Sequence, residues 1–128
     1  MIKEIAFTIY AVSDIKKARA FYEGVLGLVP SDEFPVKEDS VWIEYNIGKA
    51  PNEGTFAIGY APGQWEPSKD GASISFEVDD FDATIAKLKA EGLKFKVEPM
   101  DFPTCHMAVV LDPDGSSVGI HKRKSKQA

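Results

Sequence analysis

The chain has 128 residues, of which 44% are hydrophobic and 27% charged, a balance that excludes an intrinsically disordered protein. Its net charge of −5 excludes a broad electrostatic attraction to nucleic acid or to anionic membranes. The one cysteine, Cys105, excludes an internal disulfide. No apolar run is long enough to span a bilayer, and none resembles a signal peptide. We therefore expect a cytoplasmic protein without nucleic-acid or membrane partners.

The first half of the sequence predicts a strand, a helix and then further strands. Residues 5–12 are apolar and rich in strand-forming residues. Asp14 follows at the position of a helix N-cap, and apolar residues recur behind it at helical spacing as far as Gly27. A charged, proline-containing stretch comes next, which we interpret as a loop around one short strand. Residues 41–47 and 55–61 are then predicted as two strands joined by a hairpin loop.

The second half repeats this plan. Asp80 is again predicted to cap a helix that follows a strand, and it lies 66 residues after Asp14. An Asp-Pro-Asp-Gly sequence predicts a tight turn before the last strand. The strands predicted in this half are 72–78, 95–97, 107–111 and 118–121. The matching order and spacing favour duplication of one supersecondary unit.

We therefore predict one domain over 1–128 that consists of two modules. Module one spans 1–61, a connector of loop-forming composition spans 62–71, and module two spans 72–124. A basic tail covers 122–128, where a solvated chain end is favoured over a nucleic-acid or lipid contact.

Three segments resemble the motifs of a known superfamily, and they come in its order. The opening signature is similar to Val12-Ser13-Asp14 together with residues 20–28 (AFYEGVLGL). The start of the superfamily's second half resembles residues 76–80 (FEVDD), and its closing turn resembles residues 111–116 (LDPDGS). The family is the glyoxalase / bleomycin-resistance / extradiol dioxygenase superfamily, also called vicinal oxygen chelate (VOC) proteins. The resemblance implies an α+β fold, in which two tandem βαβββ modules form a curved mixed sheet around a cleft with the helices outside. It also implies a homodimer and a divalent metal in the cleft.

The positions of the superfamily's metal ligands carry no metal-binding side chains in this sequence. The resemblance places ligands in the first and last strands of each module, at Phe7, Ser73, Gly119 and either residue 58 or 59. Zinc, iron and nickel need imidazole, carboxylate or thiolate donors. We therefore predict no metal and no other cofactor. A relocated divalent-metal site stays open as an alternative, with donors drawn from Glu44, Glu77, Cys105, His106 and His121.

Alternation along the strands groups the candidate ligand-binding residues. If Gly119 faces the cleft, Ser117 and His121 face it too. If Ser73 faces the cleft, Ser75 and Glu77 also face it. Glu44 shares a face with Trp42 and Asn46. The predicted ligand-binding set is Phe7, Trp42, Glu44, Ser73, Ser75, Glu77, His106, Ser117, Gly119 and His121.

Each candidate also has a simpler structural interpretation. His121 is either an acid/base or ligand-binding group or a histidine at a strand end beside a basic tail. Glu44, between large apolar residues, either faces solvent or has a partner in the cleft. His106 and Cys105 are placed in a loop before a strand, where an exposed histidine and an incidental thiol are favoured. Trp65, in the connector, is expected to pack the modules together or to contact a dimer partner.

The sequence favours a metal-independent small-molecule binding protein of the glyoxalase/bleomycin-resistance type, which holds an aromatic or amphipathic compound in the cleft. The alternative is an enzyme of the same superfamily. It would be an acid/base isomerase, lyase or hydrolase that uses Glu44 and His121, or an enzyme with a relocated divalent metal. A structural or partner-binding domain with a filled cleft is the third interpretation. The ligand's identity and the choice between binder and enzyme are open at this stage.

Overall fold

The computed structural model describes residues 1, 5–37, 39–48, 54–68 and 71–124. The chain divides into two compact units, residues 1–68 and 69–128. Each unit contains one helix-bearing βαβββ arrangement with a four-stranded mixed sheet, which confirms the predicted α+β class. The break between the units lies within the predicted connector.

Module one has the strand order β1-β4-β3-β2. Strand β1 is parallel to β4, and the other neighbouring strands are antiparallel. Its helix begins as α-helix and continues as a π-helical segment. The elements are β1 Thr8–Ala11, α1 Ile15–Arg19, the π-helical segment Ala20–Val25, β2 Asp32–Lys37, β3 Ser40–Ile47 and β4 Gly54–Tyr60.

Module two repeats this topology with the order β5-β8-β7-β6. Strand β5 is parallel to β8, and β8, β7 and β6 pair antiparallel. The elements are β5 Ile74–Glu77, α2 Phe81–Ala90, β6 Phe95–Asp101, β7 Cys105–Leu111 and β8 Ser117–Arg123. Strand β7 begins two residues earlier than predicted, so Cys105 and His106 lie in a strand and not in a loop.

Both predicted helix caps are confirmed. The carboxylate of Asp14 accepts a hydrogen bond from the Lys17 amide at 3.0 Å, and that of Asp80 accepts one from the Ala83 amide at 3.0 Å. These bonds satisfy amides that have no partner within the helix. The two modules therefore start their helices in the same way, 66 residues apart.

The first helix departs from the regular helix that its apolar spacing predicted. The Leu26 amide bonds to the Phe21 carbonyl at 2.9 Å, a bond that spans five residues and is typical of π-helix. In this segment the Glu23 carboxylate accepts hydrogen bonds from the Arg19 guanidinium and the Tyr45 hydroxyl, each at 2.8 Å. The chain then turns at Gly27, whose φ of +77° favours glycine.

The core of each module lies between the helix and one face of its sheet. In module one the rings of Tyr22 and Phe56 pack with their centroids 5.1 Å apart, which places the helix against β4. In module two Leu88 of α2 is fully buried. The buried apolar side chains of the sheets include Tyr10, Ile43, Tyr45, Phe56, Ile58, Ala108, Val110, Val118 and Ile120. Among the described residues, no helix has the length and apolarity needed to cross a membrane.

Candidate functional site

Each sheet has a second face, away from its helix, which we call the far face. Strand register defines its members, because side chains alternate between the faces along a strand. In module one the far face carries Phe7, Ile9, Trp42, Glu44, Asn46, Ala57 and Gly59. In module two it carries Ser73, Ser75, Glu77, Cys105, Met107, Val109, Ser117, Gly119 and His121.

Three aromatic side chains, Phe7, Trp42 and Trp65, form a cluster on the far face of module one. Trp42 meets Phe7 edge to face with a centroid distance of 5.2 Å, and it meets Trp65 in the same manner at 5.6 Å. Phe7 remains 46% exposed. We call these three residues the aromatic cluster.

Gly59 allows Trp65 to pack on the sheet. A Cβ at this position would lie 2.8 Å from both the Ile9 Cδ1 atom and the Trp65 Cε3 atom, which is closer than side chains tolerate. The Trp65 amide also donates to the Ala61 carbonyl at 2.9 Å, which folds the connector back onto β4. Trp65 therefore contacts the sheet of module one, a contact that its position in the connector did not predict.

Glu44 has a partner within its own strand. Its carboxylate accepts a hydrogen bond from Trp42 Nε1–H at 2.8 Å. The register places Trp42 opposite Gly59 and Glu44 opposite Ala57, so the predicted shared face of these two residues is confirmed. The bond fixes the orientation of the indole, whose flat surface contributes to the cluster.

On the far face of module two, Ser75 pairs with Gly119. A Cβ on Gly119 would overlap the Ser75 hydroxyl oxygen and would lie 3.0 Å from the Ser75 Cβ atom. The alternation predicted for residues 117, 119 and 121 therefore agrees with the register, and the space beside Gly119 is filled by the serine.

Glu77 and His121 form a hydrogen-bonded pair two residues further along the same strands than Ser75 and Gly119. The Glu77 Oε1 atom lies 2.6 Å from His121 Nδ1, and its Oε2 atom accepts the Arg123 backbone amide at 2.6 Å. The pKa of the Glu77 carboxyl is lowered: desolvation on its own would raise it, but the hydrogen bonds from the Arg123 amide and the His121 ring outweigh that effect. Glu77 is thus an anion with both oxygens engaged.

His106 lies on the opposite face of its sheet from the other ligand-binding residues predicted in module two. Its ring stacks on Phe81 of α2 with a centroid distance of 5.4 Å, and its Nδ1 atom is 3.5 Å from the Asp101 carboxylate. The hydrogen bond from Lys124 lowers the pKa of that carboxyl. Alternation along β7 explains the difference, because residues 106, 108 and 110 face the helix while 105, 107 and 109 face away.

The far faces do not fit the divalent metal that the fold family implies. The matching positions hold Phe7, Ser73, Gly119 and either Ile58 or Gly59, none of which offers imidazole, carboxylate or thiolate. Within the part of the chain that the structure describes, no group of three or more His, Cys, Asp or Glu side chains could hold a metal ion. Of the two catalytic candidates, Glu44 belongs to the first unit and bonds to Trp42, whereas His121 belongs to the second and bonds to Glu77.

Comparison with known proteins establishes the family. The model of the Glyoxalase/Bleomycin resistance protein/Dioxygenase superfamily matches residues 4–120. With the two βαβββ modules already described, this match means that the chain belongs to that superfamily, as its motifs predicted.

Two curated relatives and one solved structure illustrate the range of similar proteins. The putative glyoxylase CFP32 of Mycobacterium tuberculosis is 36% identical over 115 residues, which cover 86% of this chain and 40% of that protein. The anthracycline biosynthesis protein DauV of Streptomyces sp. strain C5 is 34% identical over 108 residues, which cover 84% of this chain and 37% of that protein. The chain thus spans about two fifths of the length of these relatives. TnmS3, an antibiotic binding protein from Streptomyces sp. CB03234, has the same fold, with a TM-score of 0.76, 22% identity and coverage of 96% of this chain and 98% of that one.

Proposed function

We propose that this protein binds a flat aromatic small molecule through the aromatic cluster, without a metal ion. The observation that carries the proposal is the edge-to-face arrangement of exposed Phe7 with half-buried Trp42 and Trp65, on a sheet face that its own helix does not cover. Large aromatic groups that remain partly exposed and close together are typical of ligand-binding surfaces.

The local structure holds the central ring of the cluster in place before any ligand arrives. The Glu44 carboxylate fixes the Trp42 indole through Nε1, and Trp65 rests against Gly59. Fewer side-chain rotamers are then lost on binding, so more of the stacking free energy contributes to affinity. Asp32, opposite Glu44 in the sheet, adds negative charge near the cluster, so neutral or cationic ligands are favoured over anionic ones.

Two similar proteins support a small-molecule ligand. TnmS3 is described as an antibiotic binding protein, and DauV as a protein of anthracycline biosynthesis. The metal-independent part of the proposal is supported by the superfamily's metal positions, because the residues there offer no imidazole, carboxylate or thiolate. A homodimer in the cytoplasm also remains part of the proposal, on the strength of the family resemblance.

An acid/base enzyme of the same superfamily is the second candidate. The hydrogen bond between Glu77 and His121 favours it, because a carboxylate that holds an imidazole in one orientation is a common arrangement for general bases. The relative CFP32, a putative glyoxylase, is consistent with this candidate. Turnover that is lost in a His121→Asn variant, while ligand binding persists, would favour the enzyme over the binder.

Intrinsic fluorescence tests the first candidate directly, because both tryptophans of the chain belong to the aromatic cluster. We expect saturable quenching on titration with 2-methoxyanthraquinone, a neutral planar probe. In a Trp42→Leu variant, the affinity should fall roughly tenfold, through the loss of stacking and buried apolar area. Binding to this variant is measured by equilibrium dialysis, since one of the two fluorophores is gone.

The matched control is Phe95→Leu, which alters a half-buried aromatic residue beside Lys89 on the helix side of module two. This variant should bind as the unaltered protein does. Absence of saturable quenching, or equal losses in the two variants, would contradict the proposal.

A further inference from the structure

We propose that the far face of module two binds a soft monovalent metal ion, Cu(I), through Met100, Met107 and His121. The inference goes beyond the proposed small-molecule binding, because all three residues belong to the second unit and none belongs to the aromatic cluster. The site differs from the superfamily's divalent site in its residues, its donor atoms and the class of ion.

Strand register brings the three side chains side by side. Met107 of β7 lies opposite Met100 of β6 and opposite His121 of β8. Residues directly opposite each other in an antiparallel pair share a face, with Cβ atoms about 5 Å apart. Asp101, which follows Met100, contacts His106 on the helix side at 3.5 Å, so alternation turns Met100 to the far face. Met107 is therefore the middle member of a row that crosses three strands.

The donor atoms of this row define the class of ion. Thioether sulfur is a soft ligand that suits Cu(I), whereas zinc prefers thiolate, imidazole and carboxylate. The unbranched methionine side chains have several rotatable bonds, so their sulfur atoms can converge on an ion above Met107. The row contains one histidine and no Cys, Asp or Glu, which agrees with the absence of a group of three such donors among the described residues.

Glu77 holds the His121 ring in the tautomer that a metal ion needs. An ionised carboxylate only accepts hydrogen bonds, so the His121 Nδ1 atom, 2.6 Å from Glu77 Oε1, carries the ring hydrogen. The Nε2 atom is then the nitrogen that offers a lone pair. The Arg123 amide donates to the second Glu77 oxygen at 2.6 Å and so keeps the carboxylate in place. A metal-binding histidine usually donates its other N–H in this way, and Glu77 is therefore the positioning residue.

The row is accessible to an ion, and its charge suits a single positive one. Met100 is 45% exposed, the His121 side chain is 29% exposed, and Met107 is half-buried. The three ligands are neutral, so the bound ion keeps a charge that the Glu77 carboxylate offsets. Arg123, two residues beyond His121 on β8, is exposed, and water and salt screen its charge.

Cys105 is the competing soft ligand on this face. It precedes Met107 by two residues on β7 and lies opposite Arg123, whereas Met107 lies opposite His121. A thiolate is itself a ligand for Cu(I), so the experiment must separate the thiol from the methionine row.

Competition for Cu(I) against the chromophoric chelator bicinchoninate, in oxygen-free buffer with ascorbate, measures both stoichiometry and affinity. We expect stoichiometric uptake in the unaltered protein and in Cys105→Ser. Met107→Leu preserves the side-chain volume and removes the sulfur, so binding should weaken by roughly tenfold or more. His121→Asn should weaken it to a similar extent. Glu77→Gln should weaken it roughly tenfold, because the imidazole loses its orientation.

His106→Asn is the matched control, because it alters the other histidine of the chain, which faces the helix. This variant should bind Cu(I) as the unaltered protein does, and an excess of Zn(II) should not displace the ion. X-ray absorption at the copper edge should show both sulfur and nitrogen ligands, and His121→Asn should remove the nitrogen.

Three results would overturn the inference. They are the absence of Cu(I) uptake, uptake that is lost in Cys105→Ser but intact in Met107→Leu, and displacement of Cu(I) by Zn(II). Binding of 2-methoxyanthraquinone is a separate measurement on the tryptophans of module one, so the proposed function and this inference can fail independently.

Discussion

The Ser75 hydroxyl occupies the space that a side chain on Gly119 would need, at the point where β5 pairs with β8. The superfamily resemblance places a metal ligand at position 119. In this chain that position is a glycine, and the hydroxyl of Ser75 fills the space beside it. A donor at residue 119 would therefore require a change at residue 75 as well.

Stability measurements can test this packing. Gly119→Ala should lower the free energy of unfolding by about 1–3 kcal/mol, because its Cβ must displace the Ser75 side chain. Adding Ser75→Gly should recover part of that loss, so the two substitutions should be non-additive in urea denaturation. Gly24→Ala is the control, because nothing lies within 4 Å of its Cβ position. Strict additivity of the changes at 75 and 119 would contradict the assigned contact.

The hydrogen bond between Tyr45 and Glu23 should contribute measurably to the stability of module one. Tyr45 is fully buried, and its hydroxyl donates to a carboxylate at 2.8 Å. Tyr45→Phe should therefore cost about 2 kcal/mol of unfolding free energy. Tyr60→Phe should change it by less than about 0.5 kcal/mol, because the structure gives the Tyr60 hydroxyl no hydrogen bond among the described residues. Equal losses would argue against the Tyr45 bond.

The same tyrosine should also ionise late at alkaline pH. Burial, followed by the hydrogen bond to Glu23, raises the pKa of the Tyr45 hydroxyl well above its usual 10.0. The Tyr45 hydroxyl proton therefore contributes to the free energy of unfolding below pH 10.0, and this contribution is lost as the pH rises further. In an ultraviolet titration of the four tyrosines, Tyr45→Phe should remove one late-ionising group from the curve. Loss of an early-ionising group would contradict the assignment.

Glu77 should stabilise the protein in a pH-dependent manner. Its lowered folded-state pKa makes the contribution present above the unfolded value of 4.5 and lost as the pH falls through the folded value. The free energy of unfolding should therefore fall less steeply below pH 4.5 in Glu77→Gln than in the unaltered protein. Glu98→Gln, at an exposed ion pair with Lys89, is the control. An acid profile that Glu77→Gln does not alter would exclude this role.

The sequence predicted the elements whose signals are local. Asp14 and Asp80 each precede an apolar helical pattern, and both cap helices as expected. Strand alternation correctly grouped Glu44 with Trp42, and Glu77 with Ser75, because the period of two is set by the backbone alone.

The features that the sequence did not predict depend on contacts between distant residues. Trp65 joins the aromatic cluster because Gly59 leaves room for it, and its connector position carries no sign of that contact. The π-helical segment contains Glu23, which bonds to Tyr45, 22 residues further along the chain. The sequence predicts a loop at His106, whereas β7 begins at Cys105 and turns the His106 side chain toward the helix.

The aromatic cluster is proposed to bind a planar ligand without a metal ion. The most direct test is the affinity for 2-methoxyanthraquinone, measured by tryptophan quenching before and after exhaustive treatment with a chelator. We predict the same dissociation constant in both states, and no change when zinc, nickel, iron or manganese is added back. Binding that is lost on chelation and restored by one of these ions would contradict the account.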